Sequence, residues 1–156
     1  MSDESTQRFN HVAMSVPSQL IDEAGSKEIF AFYREVFGWS EMPGLSEPGK
    51  LLVMRAHSNE QFVFVAADDE TPTQCASMDH FGLSVETPRE LDRILDRAAD
   101  YQTRDARVRI IDRKTDDFKV LKLHSFYVGF LLPLLVEVQC YDWAEGAGPQ
   151  SLPNSG

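Results

Sequence analysis

Two histidines occupy the same place in two similar stretches of this sequence. His11 opens the stretch HVAMSV, and His80 opens the stretch HFGLSV. Side chains two residues apart share a face of a β-strand. Each histidine therefore shares its face with small residues, while the larger apolar residues take the other face. Because small neighbours leave room for a ligand, the pattern predicts that both histidines face a cavity.

A carboxylate stands between two valines in the late stretch LLVEVQC. Glu137 and Gln139 share one face of this predicted strand, whereas Val136 and Val138 share the other. Burying a carboxylate is costly unless it is paired or bound to a metal ion. Glu137 therefore needs a partner, and the two histidines on equivalent strands are candidates.

The elements that must position these residues also repeat. The first copy is predicted as a strand in FNHVAMSV, a helix in SKEIFAFYREVFG and strands in WSEM, KLLVMRAH and QFVFVAA. Ser26 is the predicted N-cap of this helix, and Gly38 is its predicted stop. The second copy is predicted as a strand in DHFGLSV, a helix in TPRELDRILDRAADY and strands near RVRIID, KVLKLHSFYV and PLLVEVQCYDW. Here Thr87, Pro88 and Glu90 form a capping-box sequence.

The composition narrows the classes of function. A net charge of −10 over 156 residues argues against nucleic-acid binding, which requires a basic surface. No apolar run approaches the roughly 18 residues of a membrane span. The two cysteines are not closely spaced and are interpreted as free thiols. The polar, acidic start does not resemble a signal peptide, so we expect a cytoplasmic protein.

The repeat also predicts the domain organisation. We expect disordered tails at 1–8 and 144–156, and a single domain at 9–143. Within this domain, module one spans about 9–70 and module two about 78–143.

Taken together, these features resemble the vicinal oxygen chelate superfamily. The resemblance rests on the doubled module, the HVAMSV and HFGLSV openings, the FYREVFGW helix end and the late strand with an embedded glutamate. That superfamily includes glyoxalase I, extradiol dioxygenases, fosfomycin-resistance proteins, methylmalonyl-CoA epimerase and bleomycin-resistance proteins. The resemblance implies an α+β fold in which two βαβββ modules form a cupped mixed sheet. It further implies a divalent metal ion held by His11, His80 and Glu137.

Some members of the superfamily have a fourth ligand, Glu or Gln, on the last strand of module one. Aligning QFVFVA with LVEVQC places Val63 opposite Glu137, which predicts that this ligand is missing unless a register shift supplies Gln61 or Glu60. Two histidines and one carboxylate with open positions suit Fe(II) or Mn(II), and Zn or Ni are possible. Gln61 and Gln139 are the predicted substrate-binding residues.

A second, narrower resemblance concerns a tyrosine. Extradiol dioxygenases carry Ser-Phe-Tyr ten residues before the metal-binding glutamate, and that tyrosine is catalytic. Tyr127 has the same spacing before Glu137, which implies that it hydrogen-bonds a substrate oxygen or transfers a proton. Those enzymes also have a histidine on the last strand of the preceding module, and QFVFVAA has none. His57 lies just upstream, near a predicted turn, and His124 is predicted to face away from the cavity.

The turn before the last strand also departs from the family pattern. Its usual acidic Asp-Pro-Asp-Gly sequence is replaced by the apolar residues 130–133. An exposed apolar tip is a liability unless it is covered. We interpret it as a dimer contact or a pocket wall.

Our leading interpretation is a metal-dependent enzyme, expected to be a homodimer, acting on a small oxygen-rich or aromatic substrate by Fe(II) dioxygenase-like chemistry. Two alternatives remain open at this stage. One is a non-catalytic drug- or metabolite-binding protein of the bleomycin-resistance type, for which the acidic net charge would suit a cationic cargo. The other is an isomerase, lyase or thiol transferase on the same fold. We expect neither nucleic acid nor membrane as a partner.

Overall fold

A computed structural model describes residues 7–151 of the chain. The predicted disordered tails, 1–8 and 144–156, are described only in part: residues 1–6 and 152–156 lie outside the described residues. The chain divides into two compact units between Thr73 and Gln74, called unit one and unit two below. No helix in the described part of the chain is both long and apolar enough to cross a membrane.

Unit one contains a strand, a helix and three further strands. One turn of 3-10 helix precedes the α-helix. Its elements are β1 (His11–Val16), the 3-10 turn (Ser18–Ile21), α1 (Glu23–Phe37), β2 (Ser40–Glu41), β3 (Leu51–Arg55) and β4 (Phe62–Ala67). The sheet order is β1-β4-β3-β2. β1 and β4 are parallel, and the other pairs are antiparallel. The first and last strands of the unit are therefore neighbours.

Unit two repeats this arrangement. Its elements are β5 (His80–Val85), α2 (Pro88–Arg104), β6 (Arg109–Asp117), β7 (Leu121–Gly129), β8 (Leu135–Trp143) and a final 3-10 turn (Pro149–Ser151). The sheet order is β5-β8-β7-β6, with β5 and β8 parallel. Two four-stranded mixed sheets with one helix each confirm the predicted α+β fold of two βαβββ modules.

The alternation predicted for the two histidine-bearing strands is also confirmed. In β1, Met14 and Val16 are buried while His11 is exposed. In β5, Phe81 is half-buried while His80 is exposed, and the same alternation continues to the end of the strand. Each strand thus turns its large apolar side chains to one face and its histidine to the other.

Helix α1 begins earlier than the sequence pattern predicted, and its N-cap is Asp22, not Ser26. The Asp22 side chain accepts a hydrogen bond from the Gly25 N–H at 2.8 Å. Ser26 lies inside the helix, where its buried hydroxyl donates to the Ile21 carbonyl oxygen at 2.8 Å. A Cβ at Gly25 would lie 2.1 Å from the Leu20 carbonyl oxygen, so this tight entry requires glycine. The predicted stop at Gly38 is confirmed by its left-handed φ of 75°.

The apolar tip at residues 130–133 is largely covered within unit two. Phe130 is fully buried, and its ring meets the edge of Tyr101 at a centroid distance of 5.7 Å. The Arg107 guanidinium lies 5.4 Å from the centroid of the same ring. Leu132 is also buried. Contacts with the end of α2 and the loop after it therefore account for the burial of Phe130, and the interpretation of the tip as a dimer contact or a pocket wall stays a prediction.

Thr87→Ala should lower the free energy of unfolding by about 1 kcal/mol, because it removes the predicted capping box, which the structure contains. The Thr87 hydroxyl accepts from the Glu90 N–H at 3.2 Å, and the Glu90 carboxylate accepts from the Thr87 N–H at 3.2 Å. Urea denaturation measures the difference. Thr103→Ala, at the other end of α2, is the matched control and should be neutral or slightly stabilising. Equal losses in both variants would contradict the capping role.

Candidate functional site

One face of the second sheet brings three of the predicted site residues together. In the strand ladders, Glu137 of β8 lies opposite Gly82 of β5 on one side and Tyr127 of β7 on the other. Gly82 has no side chain, and a Cβ there would meet nothing closer than 3.9 Å. His80 lies two residues before Gly82 and therefore shares its face. His80, Glu137 and Tyr127 thus share one face of the sheet, on which Gly82 adds no side chain beside Glu137.

The side chains of these three residues are in contact. His80 Nε2 lies 3.3 Å from Glu137 Oε2. The rings of His80 and Tyr127 meet edge to face, at a centroid distance of 5.0 Å and an interplanar angle of 81°. Glu137 is only 8% exposed, whereas His80 is accessible to solvent. The buried carboxylate of Glu137 therefore lies next to a solvent-accessible imidazole.

A backbone contact defines which nitrogen of His80 carries the proton. Nδ1 lies 2.6 Å from the carbonyl oxygen of Met78. A carbonyl oxygen only accepts, so Nδ1 donates, and Nε2 of the neutral ring presents its lone pair. This lone pair faces a carboxylate oxygen of Glu137. Two acceptors at 3.3 Å are compatible when a proton or a metal ion lies between them, and imidazole with carboxylate suits a divalent first-row metal ion.

In unit one, His11 is held in the same tautomer. Its Nδ1 hydrogen-bonds Asn10 Oδ1 at 2.5 Å, so Nε2 carries the free lone pair. The His11 ring stacks on Phe62 of β4, with centroids 4.8 Å apart and an interplanar angle of 2°. His11 is exposed. Both predicted histidine ligands therefore present Nε2 and anchor Nδ1 to an oxygen, the arrangement usual for metal-ligating histidine.

The complete three-ligand set stays a prediction. Within residues 7–151, no group of three or more His, Cys, Asp or Glu side chains is arranged to hold a metal ion. Two predicted ligands, His80 and Glu137, are paired inside unit two. The third, His11, belongs to unit one.

The strand register corrects the predicted counterpart of Glu137 in unit one. His11 pairs with Phe62 and Ala13 with Phe64, as Gly82 pairs with Glu137. Phe64 is therefore the counterpart of Glu137, one residue away from the predicted Val63. A phenyl ring cannot ligate a metal ion, so the expected absence of a fourth ligand at this position holds, but with a different residue there.

The two predicted substrate-binding glutamines lie in different surroundings. Gln61 is exposed in the turn before β4, and its role stays a prediction. Gln139 lies on the face of Glu137, between Ser84 and Ser125 in the ladders. Its side-chain oxygen accepts a hydrogen bond from the Tyr141 hydroxyl at 3.0 Å. The Gln139 side-chain nitrogen can therefore serve as the donor to a ligand.

Ser125 is a further candidate site residue, which the sequence analysis missed. It is 1% exposed, and its hydroxyl has no hydrogen-bond partner among the described residues. Ser125 precedes Tyr127 by two residues in β7, so the two side chains lie on the same face. The alternation with Tyr127 was the signal that could have identified it. An unsatisfied buried hydroxyl on this face could hydrogen-bond an oxygen atom of a ligand.

The other two histidines lie outside this constellation. His57 is exposed in the turn between β3 and β4. His124 points to the opposite face of the second sheet, as predicted. Its Nδ1 hydrogen-bonds Thr115 Oγ1 at 2.8 Å, and its Nε2 lies 3.5 Å from Asp142 Oδ2.

Burial raises the pKa of the Tyr127 phenol above its usual value, and a hydrogen bond to Glu137 and its charge raise it further. Tyr127 is therefore a neutral hydrogen-bond donor throughout the physiological range. Because the pKa is raised in the folded state, the associated stability is present below about pH 10 and is lost as the pH rises through the folded pKa.

Ultraviolet titration of the metal-free protein should detect this shift. The difference between the wild type and Tyr127→Phe should show a phenolate that forms only above about pH 10. The Tyr127→Phe variant should also lose less stability at strongly alkaline pH. A Tyr127 component that appears at or below the usual phenol pKa would contradict the predicted shift.

Comparisons with known proteins support the fold. Neither a protein-family model nor a curated protein sequence matches the chain. Among solved structures, lactoylglutathione lyase from Agrobacterium tumefaciens is 17% identical with a TM-score of 0.61, over 87% of this chain and 95% of that one. The fosfomycin resistance protein FosX from Listeria monocytogenes is 15% identical with a TM-score of 0.58, over 95% of this chain and 100% of that one.

A third structure carries the broader family description. The glyoxalase/bleomycin resistance protein/dioxygenase from Alicyclobacillus acidocaldarius is 14% identical with a TM-score of 0.59, over 84% of this chain and 89% of that one. At these identities the likenesses establish the fold and leave the activity to be argued from the site.

Proposed function

We propose that this chain, whose fold is that of the vicinal oxygen chelate superfamily, is a metal-dependent enzyme acting on a small substrate bound through oxygen atoms. The observation that carries the proposal is the pair formed by His80 Nε2 and Glu137 Oε2. Two lone-pair donors lie 3.3 Å apart beside Tyr127, and His80 is fixed in the tautomer that a ligand requires. The similar fold of lactoylglutathione lyase and FosX supports the same class of site.

We further propose that His11 joins His80 and Glu137 as the third ligand. Two histidines and one carboxylate favour Fe(II) or Mn(II), with Zn or Ni as further possibilities. When bound, such an ion would supply Lewis-acid polarisation of a chelated substrate oxygen, or oxygen chemistry if it is Fe(II). Phe64, the counterpart of Glu137 in unit one, has no donor atom, so a bound ion would keep a coordination position for the substrate.

Other roles in the proposed reaction belong to the protein side chains around the ion. Glu137 supplies the negative charge that offsets the ion. The neutral phenol of Tyr127 donates a hydrogen bond or a proton to a substrate oxygen, which is a general-acid role. Ser125 and Gln139 lie on the same face and orient the oxygen-rich part of the substrate. Gln61 of unit one is proposed as a further substrate-binding residue. The three-ligand set with Tyr127 favours dioxygenase-like chemistry over isomerase, lyase or thiol-transferase chemistry.

One observation favours a second function, that of a binding protein without chemistry. The net charge of −10 would attract a cationic ligand. Such a protein should bind its ligand equally well before and after treatment with a chelator, whereas the proposed enzyme should lose substrate binding with its metal.

Metal stoichiometry tests the proposed function most directly. Metal-free protein is reconstituted anaerobically with Fe(II), Mn(II) or Zn(II), and bound metal is measured by elemental analysis. We expect about one ion per chain in the wild type and none in His80→Ala, with His57→Ala as the matched control because its histidine is exposed in a turn. Oxygen uptake with catechols by the Fe(II) form would then support the dioxygenase assignment. Absence of metal from the wild type would overturn the proposal.

A further inference from the structure

We infer that Asn10 is a positioning residue for His11: its side-chain oxygen holds the proton on Nδ1, so that Nε2 is presented to a metal ion. The metal-binding part of this inference rests on the proposed function. The positioning part rests on the contacts within unit one alone.

The contacts leave the His11 ring little freedom, although the residue is exposed. Asn10 Oδ1 holds Nδ1 at 2.5 Å, and the ring lies flat on Phe62. Asn10 is itself tied to β4, because its backbone carbonyl accepts the Phe62 N–H at 3.1 Å. The hydrogen bond restrains rotation of the imidazole about its Cβ–Cγ bond. The stacking on Phe62 fixes the plane of the ring. Together the two contacts set the direction in which Nε2 points.

The two units differ in the group that accepts the hydrogen bond from the histidine Nδ1. In unit two, the acceptor for His80 Nδ1 is the backbone carbonyl of Met78, which no side-chain substitution removes. In unit one, the acceptor is the side chain of Asn10, which can be changed. Outer-sphere oxygen acceptors orient a ligating imidazole and raise its basicity. A substitution at Asn10 can therefore change the orientation and basicity of the His11 imidazole without replacing any proposed ligand.

The experiment compares Asn10→Leu with Asn10→Asp. The leucine variant removes the acceptor, and the aspartate variant keeps an oxygen in place and adds negative charge. Asn59→Leu, an exposed asparagine in the β3–β4 turn, is the matched control. Long-range ¹H–¹⁵N spectra of metal-free protein, at mildly alkaline pH where imidazole is neutral, report the tautomer of each histidine.

The four histidines of the chain provide internal references. His80 should be the Nδ1–H tautomer in every variant, because Met78 supplies its acceptor. His124 should be the opposite tautomer, because Arg113 Nη2, which can only donate, lies 3.4 Å from its Nδ1. We expect His11 to be Nδ1–H in the wild type, in Asn10→Asp and in Asn59→Leu, and to become a mixture in Asn10→Leu.

Calorimetric titration with Mn(II) provides the second readout. Asn10→Leu should bind Mn(II) about 10- to 100-fold more weakly, and Asn10→Asp at least as tightly as the wild type. A wild-type His11 with its proton on Nε2, or a tautomer unchanged in Asn10→Leu, overturns the inference. Expected tautomers in a wild type that binds no Mn(II) would support the positioning and overturn the proposed function, so the two failures are distinguishable.

Discussion

Replacing Glu137 by glutamine should weaken Mn(II) binding at least about 100-fold. Loss of an outer-sphere partner of a metal ligand costs up to about 100-fold, and removal of the only carboxylate among the proposed ligands acts on the ion directly, so it should reach or exceed that upper value. Glutamine keeps the shape of the side chain and removes its charge. Calorimetric titration of metal-free protein with Mn(II) measures the loss.

The same substitution should not destabilise the metal-free protein. Glu137 is a buried carboxylate, and burial of an ionised group is unfavourable unless it is well paired. Urea denaturation should therefore give Glu137→Gln a free energy of unfolding equal to or higher than that of the wild type. Glu70→Gln, at an exposed position after β4, is the matched control for the metal titration. Equal Mn(II) affinities in the two variants would remove Glu137 from the site.

Tyr127→Phe should slow turnover about 100-fold or more, at saturating metal, on the substrate that the oxygen-uptake screen identifies. Because the phenol also hydrogen-bonds Glu137, the variant should weaken Mn(II) binding about 10-fold, which is less than the effect of Glu137→Gln. General acid–base groups typically contribute 10²- to 10⁴-fold to rate. The Tyr127 phenol is neutral and contacts both proposed ligands of unit two, so it is placed to donate to a substrate oxygen. Steady-state kinetics gives the rate, and calorimetry gives the affinity.

Tyr101→Phe is the control for this variant. Its ring packs against Phe130 rather than against the site, so the variant should keep wild-type turnover. Unchanged turnover in Tyr127→Phe would exclude an acid–base role, and the phenol would then be a packing residue. A loss of Mn(II) affinity in Tyr127→Phe as large as that in Glu137→Gln, with turnover restored at saturating metal, would indicate that the phenol supports the ligands rather than the chemistry.

Local sequence signals predicted much of the fold and part of the site. The alternation of His11 and His80 with larger apolar residues predicted which face each side chain takes, because strand geometry alone decides it. The capping box at Thr87 predicted the start of α2 for an equally local reason. The contact between His80 and Glu137 followed from two such faces meeting in one sheet.

Features that depend on distant partners could not be predicted in this way. Phe64 was missed because QFVFVAA alternates apolar residues in either register, and only the pairing of β4 with β1 decides between them. The contacts of Tyr101 and Arg107 with Phe130 at the apolar tip could not be predicted either, because these three residues lie in different elements of unit two. Asp22 was missed as a cap because Gly25 makes the first turn of α1 resemble a loop.

The parallel pairing of β5 with β8 implies that natural selection acts on the length of these segments as well as on their chemistry. His80 and Glu137 meet because both lie on one side of the ladder. An insertion or deletion of one residue inside either strand would send its polar side chain towards the helix and its apolar side chains into the site. Homologues should therefore tolerate many substitutions along β5 and β8, while changes in length should accumulate in the loops that join them to the rest of the chain.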